Sequence, residues 1–313
     1  MGFAAVFPGQ GSQAVGMLNG LAETHSLVKQ TFTEASEILG YDLWEICAQG
    51  PKERLDATER TQPALLTAGV AVWRVWQDQG GPQPLAMAGH SLGEYTALVC
   101  AGALDFKTAV GLVEFRGQAM QAAVPAGEGA MAAIIGLDDD AVRAACTEAA
   151  QGEVVEAVNF NAPGQVVIAG QAAAVQRAGE ACKARGAKRA LPLPVSAPSH
   201  CALMQPAAAR LAERLASVAL KPPGIPVIHN VDVAAHPEAD AIRGALTAQL
   251  HSPVRWVETV RKLAADGAAQ LVELGPGAVL SGLTRRIDKS LGAYSVNDQS
   301  SLEAALGAVS NAA

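Results

Sequence analysis

Gly89-His90-Ser91-Leu92-Gly93 places a serine between two glycines, after the short apolar run Leu85–Ala88 and before the helix-prone Glu94–Ala101. A strand that turns abruptly into a helix needs glycine where the backbones crowd, and it presents the serine hydroxyl at the helix N-terminus. Free backbone N–H groups and the positive end of the helix dipole there favour a developing oxyanion. The chemistry such a serine offers is nucleophilic attack on an acyl carbon, and it needs a base to take the hydroxyl proton.

Six histidines are available: His25, His90, His200, His229, His236 and His251. His200 is the candidate base, because Pro198-Ser199-His200-Cys201 follows a proline-rich stretch and leads straight into a helix pattern. His90 is expected to point away from Ser91 and to be structural. Arg116 lies mid-helix in Val113-Glu114-Phe115-Arg116-Gly117-Gln118. Composition alone reads it as a solvated helix face, whereas an arginine facing the serine would hold a substrate carboxylate through two parallel N–H···O bonds. Gly9-Gln10-Gly11, after the first strand, is either an ordinary turn or a donor of backbone N–H to an oxyanion. It is neither a dinucleotide fingerprint nor a P-loop, since the third glycine and the Gly-Lys-Ser/Thr are missing. No metal is expected, for want of His-Glu-x-x-His or comparable ligand spacing.

The elements that must position these residues alternate. A strand at Phe3–Phe7, helices at Leu27–Leu39 and Gln62–Gln77, the serine's strand and helix, and a long helix at Phe106–Ala123 predict a mostly parallel, doubly wound sheet. After Pro125-Ala126-Gly127 the order becomes β-α-β-β-α-β: Gly129–Gly136, Asp138–Ala150, Val154–Phe160, Gln165–Ala169, Gln171–Arg185 and Ala187–Leu193. That order is ferredoxin-like. The expected organisation is a large α/β body from residues 1–125 and 198–313, with a small inserted domain at 126–197. The body continues as a helix at Ala202–Ser217, a strand at Pro226–Val231, two helices around Pro253 and a strand at Gln270–Leu274 that turns through Gly275-Pro276-Gly277 into a helix.

The 313 residues are half hydrophobic, enough for a large domain plus a small one, and the formal net charge is -7. That balance disfavours nucleic acid or an anionic membrane as partner. The five cysteines are scattered with no Cys-x-x-Cys, which fits free thiols in a reducing compartment. The N-terminus lacks the basic segment of a signal peptide, and the apolar stretches Ala64–Trp73 and Gly129–Leu137 are too short to span a bilayer. A cytoplasmic monomer is expected.

Taken together and in order, Phe7-Pro8-Gly9-Gln10-Gly11-Ser12-Gln13, Gly89 to Tyr95, Arg116-Gly117, Asn159 to Gln165, Pro198-Ser199-His200 and Glu273 to Gly277 make the chain resemble the malonyl-CoA:acyl carrier protein transacylases of fatty acid synthesis. The likeness covers essentially the whole chain and implies a hydrolase-like α/β body with a ferredoxin-like insert. It implies Ser91 as the nucleophile that takes the malonyl group, His200 as base and then acid, and Arg116 as partner of the malonyl carboxylate. The backbone N–H groups of Gln10 and Leu92 would form the oxyanion hole. The backbone carbonyl of Gln249 would orient the histidine, and Asn161 would line the cleft. No cofactor is implied; malonyl-CoA is a substrate, and phosphopantetheine is carried by the partner, an acidic acyl carrier protein. Lys188, Arg189, Arg285 and Arg286 are candidate docking patches, with plain solvated surface as the other reading.

Discrete polyketide-pathway acyltransferases share this constellation, and Ser199 stands where malonyl-selective modular polyketide enzymes usually carry phenylalanine. A serine esterase or thioesterase shares the serine turn but expects an acid between serine and histidine, such as Asp139 or Glu156. A non-catalytic module that binds carrier protein would not need serine, histidine and arginine together.

Overall fold

The computed structural model describes residues 2–195 and 197–310. Among them the strands are β1 (Gly2–Phe7), β2 (Ala86–Gly89), β3 (Gly129–Ile135), β4 (Val155–Ala162), β5 (Gln165–Gln171), β6 (Arg189–Pro192), β7 (Val227–Ile228), β8 (Ala268–Leu274) and β9 (Gly292–Val296). Five form one sheet in the order β7-β2-β1-β8-β9, with every pairing parallel. Its central strand is buried on both faces, as a parallel sheet between helices requires. Phe3, Ala5 and Phe7 of β1 pack with Trp76, Leu98 and Val113 on one side. Ala4 and Val6 pack with Trp256, Val260 and Leu280 on the other, which is the two-residue alternation of a strand.

The remaining four strands make an antiparallel sheet in the order β4-β5-β3-β6. Helices Asp139–Ala150 and Ala172–Ala184 cover one face and enclose a separate core around Ile134, Val142, Ile168 and Val175. Chain order and strand order together are those of a ferredoxin-like fold. Asp138 caps the first of these helices, its side chain accepting from Ala141 N. Edge strand β4 is stitched to the other half at Val254, whose N–H donates to Val158 O (2.8 Å) and whose carbonyl accepts from Phe160 N (3.0 Å). This seam fixes the small sheet over the carboxyl ends of β1 and β2, where open α/β sheets hold their ligands.

Several elements depart from the expected pattern. The strand expected over Pro226–Val231 is only Val227–Ile228, because His229 and Asn230 turn inward and bond Glu94. The helix expected from Ala202 begins as a 3₁₀ turn, Ala202–Met204, and becomes α-helical at Gln205–Ala216. Pro206 is the reason: it lacks an N–H and belongs in a first helical turn. Strand β9 and the helix Gln299–Ser310 lie beyond the expected set and complete the sheet's edge. No helix is long and apolar enough to cross a membrane, and no group of three or more histidine, cysteine, aspartate or glutamate side chains is placed to hold a metal, among the described residues. All five cysteines are free thiols.

Glu273, fully buried on β8, explains the Glu-Leu-Gly-Pro-Gly segment. It accepts from Leu280 N (3.0 Å), Ser281 N (2.8 Å) and Ser281 Oγ (2.7 Å), capping the helix Val279–Ile287 after the tight turn. Removing it strands buried donors, so Glu273→Ala is expected to cost about 3 kcal/mol in urea unfolding. A loss below roughly 0.5 kcal/mol would contradict this role.

Candidate active site

The serine turn is as tight as its glycines suggest. A Cβ on Gly89 would lie 1.8 Å from Gly93 C, and one on Gly93 would lie 2.0 Å from Phe7 O, so helix, β2 and the end of β1 meet in backbone contact. Ser91 sits at φ 51°, a conformation that costs a side-chain-bearing residue energy and persists because its surroundings impose it. One of those surroundings is Asn230. Its Oδ1 accepts from Ser91 N (2.8 Å), and its Nδ2 donates to Gly89 O (2.7 Å).

Ser91 Oγ lies 2.8 Å from His200 Nε2, and His200 Nδ1 lies 2.7 Å from Gln249 O. A carbonyl can only accept, so Nδ1 carries the proton and Nε2 is left to accept from the serine hydroxyl. His200 is buried, with backbone φ 67°, and its own N–H donates to Leu250 O (2.9 Å). Burial, with the nearby Arg116 charge adding to it, pulls the imidazole down to about 3. The ring is therefore neutral, as a base must be.

Arg116 is 1% exposed, not solvated. Its guanidinium donates to Gln62 Oε1 (2.8 Å) and Gln249 Oε1 (3.0 Å), and Nη2 lies 3.4 Å from Ser91 Oγ. Its Nε has no partner among the described residues. All its side-chain hydrogen-bond partners are neutral, so the positive charge beside the nucleophile has no carboxylate bonded to it directly; the nearest, Glu94, acts across the Gln249 amide.

Gln10, Ser91, Leu92 and Arg116 line one wall of a cavity of about 440 Å³, with Met131 and Asn159 of the small sheet opposite. Neither the Gln10 nor the Leu92 amide has a hydrogen-bond acceptor among the described residues, whereas the Ser91 amide is committed to Asn230. Asn161, expected to line the cleft, does not. It stands one pleat further along β4, with Oδ1 2.8 Å from His90 Nε2, and Asn159 takes the lining position. His90 packs at a tilt against Trp256, ring centroids 5.5 Å apart and planes 58° to one another, and it also lines the cavity rather than turning away from it. Asp139 and Glu156, the acids an esterase would use, do not contact His200, whose Nδ1 partner is the Gln249 carbonyl.

Four residues behind the cavity lining escape the sequence pattern: Gln62, Glu94, His229 and Asn230. Gln62 takes one arm of Arg116. Buried Glu94 accepts from Asn230 N (2.8 Å) and Gln249 Nε2 (3.0 Å) and pairs with His229 (2.7 Å). The only available signal was the position of Glu94 one residue after Gly93.

A family model for the acyl transferase domain matches residues 5–306. The chain belongs to that family. Within the acyl transferases, it is 62% identical over 304 residues to the malonyl CoA-acyl carrier protein transacylase of Escherichia coli strain K12, covering 97% of this chain and 98% of that one. The solved acyl carrier protein S-malonyltransferase of Vibrio cholerae superposes with a TM-score of 0.96 at 64% identity, covering 97% of this chain and 100% of the other. A type II PKS acyl-carrier protein in complex with its malonyl-transacylase offers a further match, with TM-score 0.98 and 60% identity over 98% of this chain and 100% of that one.

A neutral imidazole sets the acyl transferase's response to acid. Inactivation by a small uncharged sulfonyl fluoride, which reports Ser91 nucleophilicity, is expected to stay level from about pH 7.5 to about pH 5. Because the folded value lies below the unfolded one, the unfolded chain takes up the proton first. Stability from this group is thus complete above about pH 6.5 and falls as pH drops through the interval below it. A rate that titrates near pH 6.5 would contradict the burial argument.

Proposed function

We propose that this protein transfers the malonyl group of malonyl-CoA to the phosphopantetheine thiol of acyl carrier protein, through a malonyl ester on Ser91, and so supplies fatty acid elongation. The observation that carries this reading is the buried Arg116 guanidinium, 3.4 Å from Ser91 Oγ and bonded only to neutral groups. Such a charge suits an acyl group that ends in a carboxylate, and it gives acetyl nothing to bind.

His200 Nε2 takes the hydroxyl proton as Ser91 Oγ attacks the thioester carbon. The oxyanion is held by the Gln10 and Leu92 amides, and its collapse expels the CoA sulfur, which receives the proton from His200. The malonyl ester then lies with its carboxylate on Arg116. A carrier-bound thiol gives its proton to His200, attacks the ester carbon and leaves with the malonyl group, restoring Ser91. Two successive substrates at one site give ping-pong kinetics. In this reading residues 126–197 form a small domain, and residues 1–125 with 198–313 form the body. The cleft between them holds each thioester in turn. No metal or cofactor takes part in these steps, and the reaction belongs to the cytoplasm.

Docking of an acidic carrier on a chain of net charge -7 needs local positive charge. Lys188, Arg189, Arg285 and Arg286 are all exposed. Arg189 and Gln165 flank Ile135 in the small sheet, and Arg286 bonds Gln165, so Lys188, Arg189 and Arg286 gather at one end of that sheet. Four residue steps along β6 and its extension, roughly 13 Å, separate Arg189 from the cavity-lining Leu193. Reversing charge at Lys188 and Arg189 is expected to raise KM for carrier protein several-fold and leave KM for malonyl-CoA unchanged. Equal effects on both substrates would remove the patch from the docking surface.

Intact mass after brief mixing with acyl-CoA tests the reaction itself. The wild type should gain one malonyl group and Ser91→Ala none. Leaving one half of a buried charge pair alone costs about 3–5 kcal/mol, so Arg116→Ala should lose malonylation by at least about a hundredfold. Undiminished preference for malonyl over acetyl in Arg116→Ala would overturn the reading.

A further inference from the structure

Behind Ser91 lies a buried carboxylate–imidazole pair that the transfer steps do not touch. Glu94, in the first turn of the helix Gly93–Cys100, and His229, just after β7, have fully buried side chains, with Oε1 and Nδ1 2.7 Å apart. The other carboxylate oxygen accepts from Asn230 N and from Gln249 Nε2. The opposite end of the Gln249 amide accepts from Arg116 Nη2 at 3.0 Å. Its orientation is forced, because a guanidinium only donates and a carboxylate only accepts. One neutral amide therefore stands between a buried cation and a buried anion.

That arrangement raises a problem of charge. An unbalanced carboxylate one amide away would draw on the Arg116 charge and repel an incoming acyl carboxylate, and burial strengthens both effects. A partner on the far side of Glu94 removes the problem. We propose that His229 is a positioning residue for carboxylate recognition: by donating to Glu94 it balances that charge away from Gln249 and leaves the Arg116 guanidinium available to the acyl carboxylate. The inference rests on the assignment of Arg116 given above.

Other features of the pocket agree. Burial pulls the His229 imidazole down, but the Glu94 carboxylate, helped by Asp232, outweighs it and holds the ring above its ordinary range. His229 Nε2 has no partner among the described residues, so Glu94 is the ring's one hydrogen-bond partner there. His236, its ring 5.1 Å from that of His229, is itself paired with Asp232 at 2.6 Å and does not compete.

The test compares acylation of Ser91 by malonyl-CoA and acetyl-CoA in the full chain. His229→Leu removes the donor that Glu94 Oε1 faces. It is expected to lower kcat/KM for malonyl-CoA about tenfold, through KM, and to leave acetyl-CoA within about twofold. The double variant Glu94→Gln/His229→Leu removes the anion as well, and is expected to recover malonyl preference to within about threefold of the wild type. If His229→Leu does not fold, His229→Gln, which keeps an N–H donor, should show a smaller loss in the same direction. A variant that slows both acyl groups equally, or a double variant less selective than His229→Leu, would overturn the proposal. A wild type that takes acetyl as readily as malonyl would overturn the assignment of Arg116 itself, a different failure read in the same assay.

Discussion

The carbonyl of Gln249 facing Nδ1 of His200 is the contact on which the site is built. It assigns the tautomer, and through the tautomer it decides that Nε2 can accept a proton from Ser91. The same residue's side chain holds Arg116, and its neighbour Leu250 holds the His200 backbone, so the base and the cation share one anchor at the end of the helix Ala239–Gln249. Shifting that helix end would move both functional groups at once. Residues 159 and 254 matter for the same reason, since the seam at Val254 follows the anchor by only a few residues and sets the opposite wall.

A neutral group in the orienting position has an electrostatic logic. An aspartate there would steady the imidazolium that forms during transfer, but it would also repel a substrate that is an anion. A carbonyl orients the ring without that repulsion. The surrounding partners of Arg116 follow the same rule: Gln62 and Gln249 fix the guanidinium through amide oxygens and bring no carboxylate into contact with it. The site thus holds a buried cation at a cost in desolvation that only an anionic ligand offsets fully. Glu94 and His229 sit one layer back, paired with each other outside the cavity.

How much of this the sequence disclosed depended on whether a residue's type carries its role. Ser91 was legible because the crowding that requires Gly89 and Gly93 is written as glycine. His200 was legible from its place at the return to the body. Arg116 was ambiguous by pattern, since a helical arginine between glutamate and glycine looks the same whether solvated or buried, and only the resemblance to a family singled it out. Asn161 and Asn159 lie two apart on one face of β4, and a period of two cannot say which reaches the cavity. Gln62, Glu94, His229 and Asn230 were not legible, because ordinary polar residues far apart in sequence acquire meaning only when the fold closes their hydrogen bonds. The alternation of strands and helices did convey both sheets. It overran at β7, where polar side chains draw the chain out of the sheet, and it stopped short of β9.

A structure of the chain carrying the malonyl ester on Ser91 tests the central claim most directly. The account predicts the terminal carboxylate on the Arg116 guanidinium, with two short N–H···O bonds and the ester oxygen facing the Gln10 and Leu92 amides. A carboxylate turned to solvent, or held by another cation such as Lys52 at the cavity wall, would contradict it.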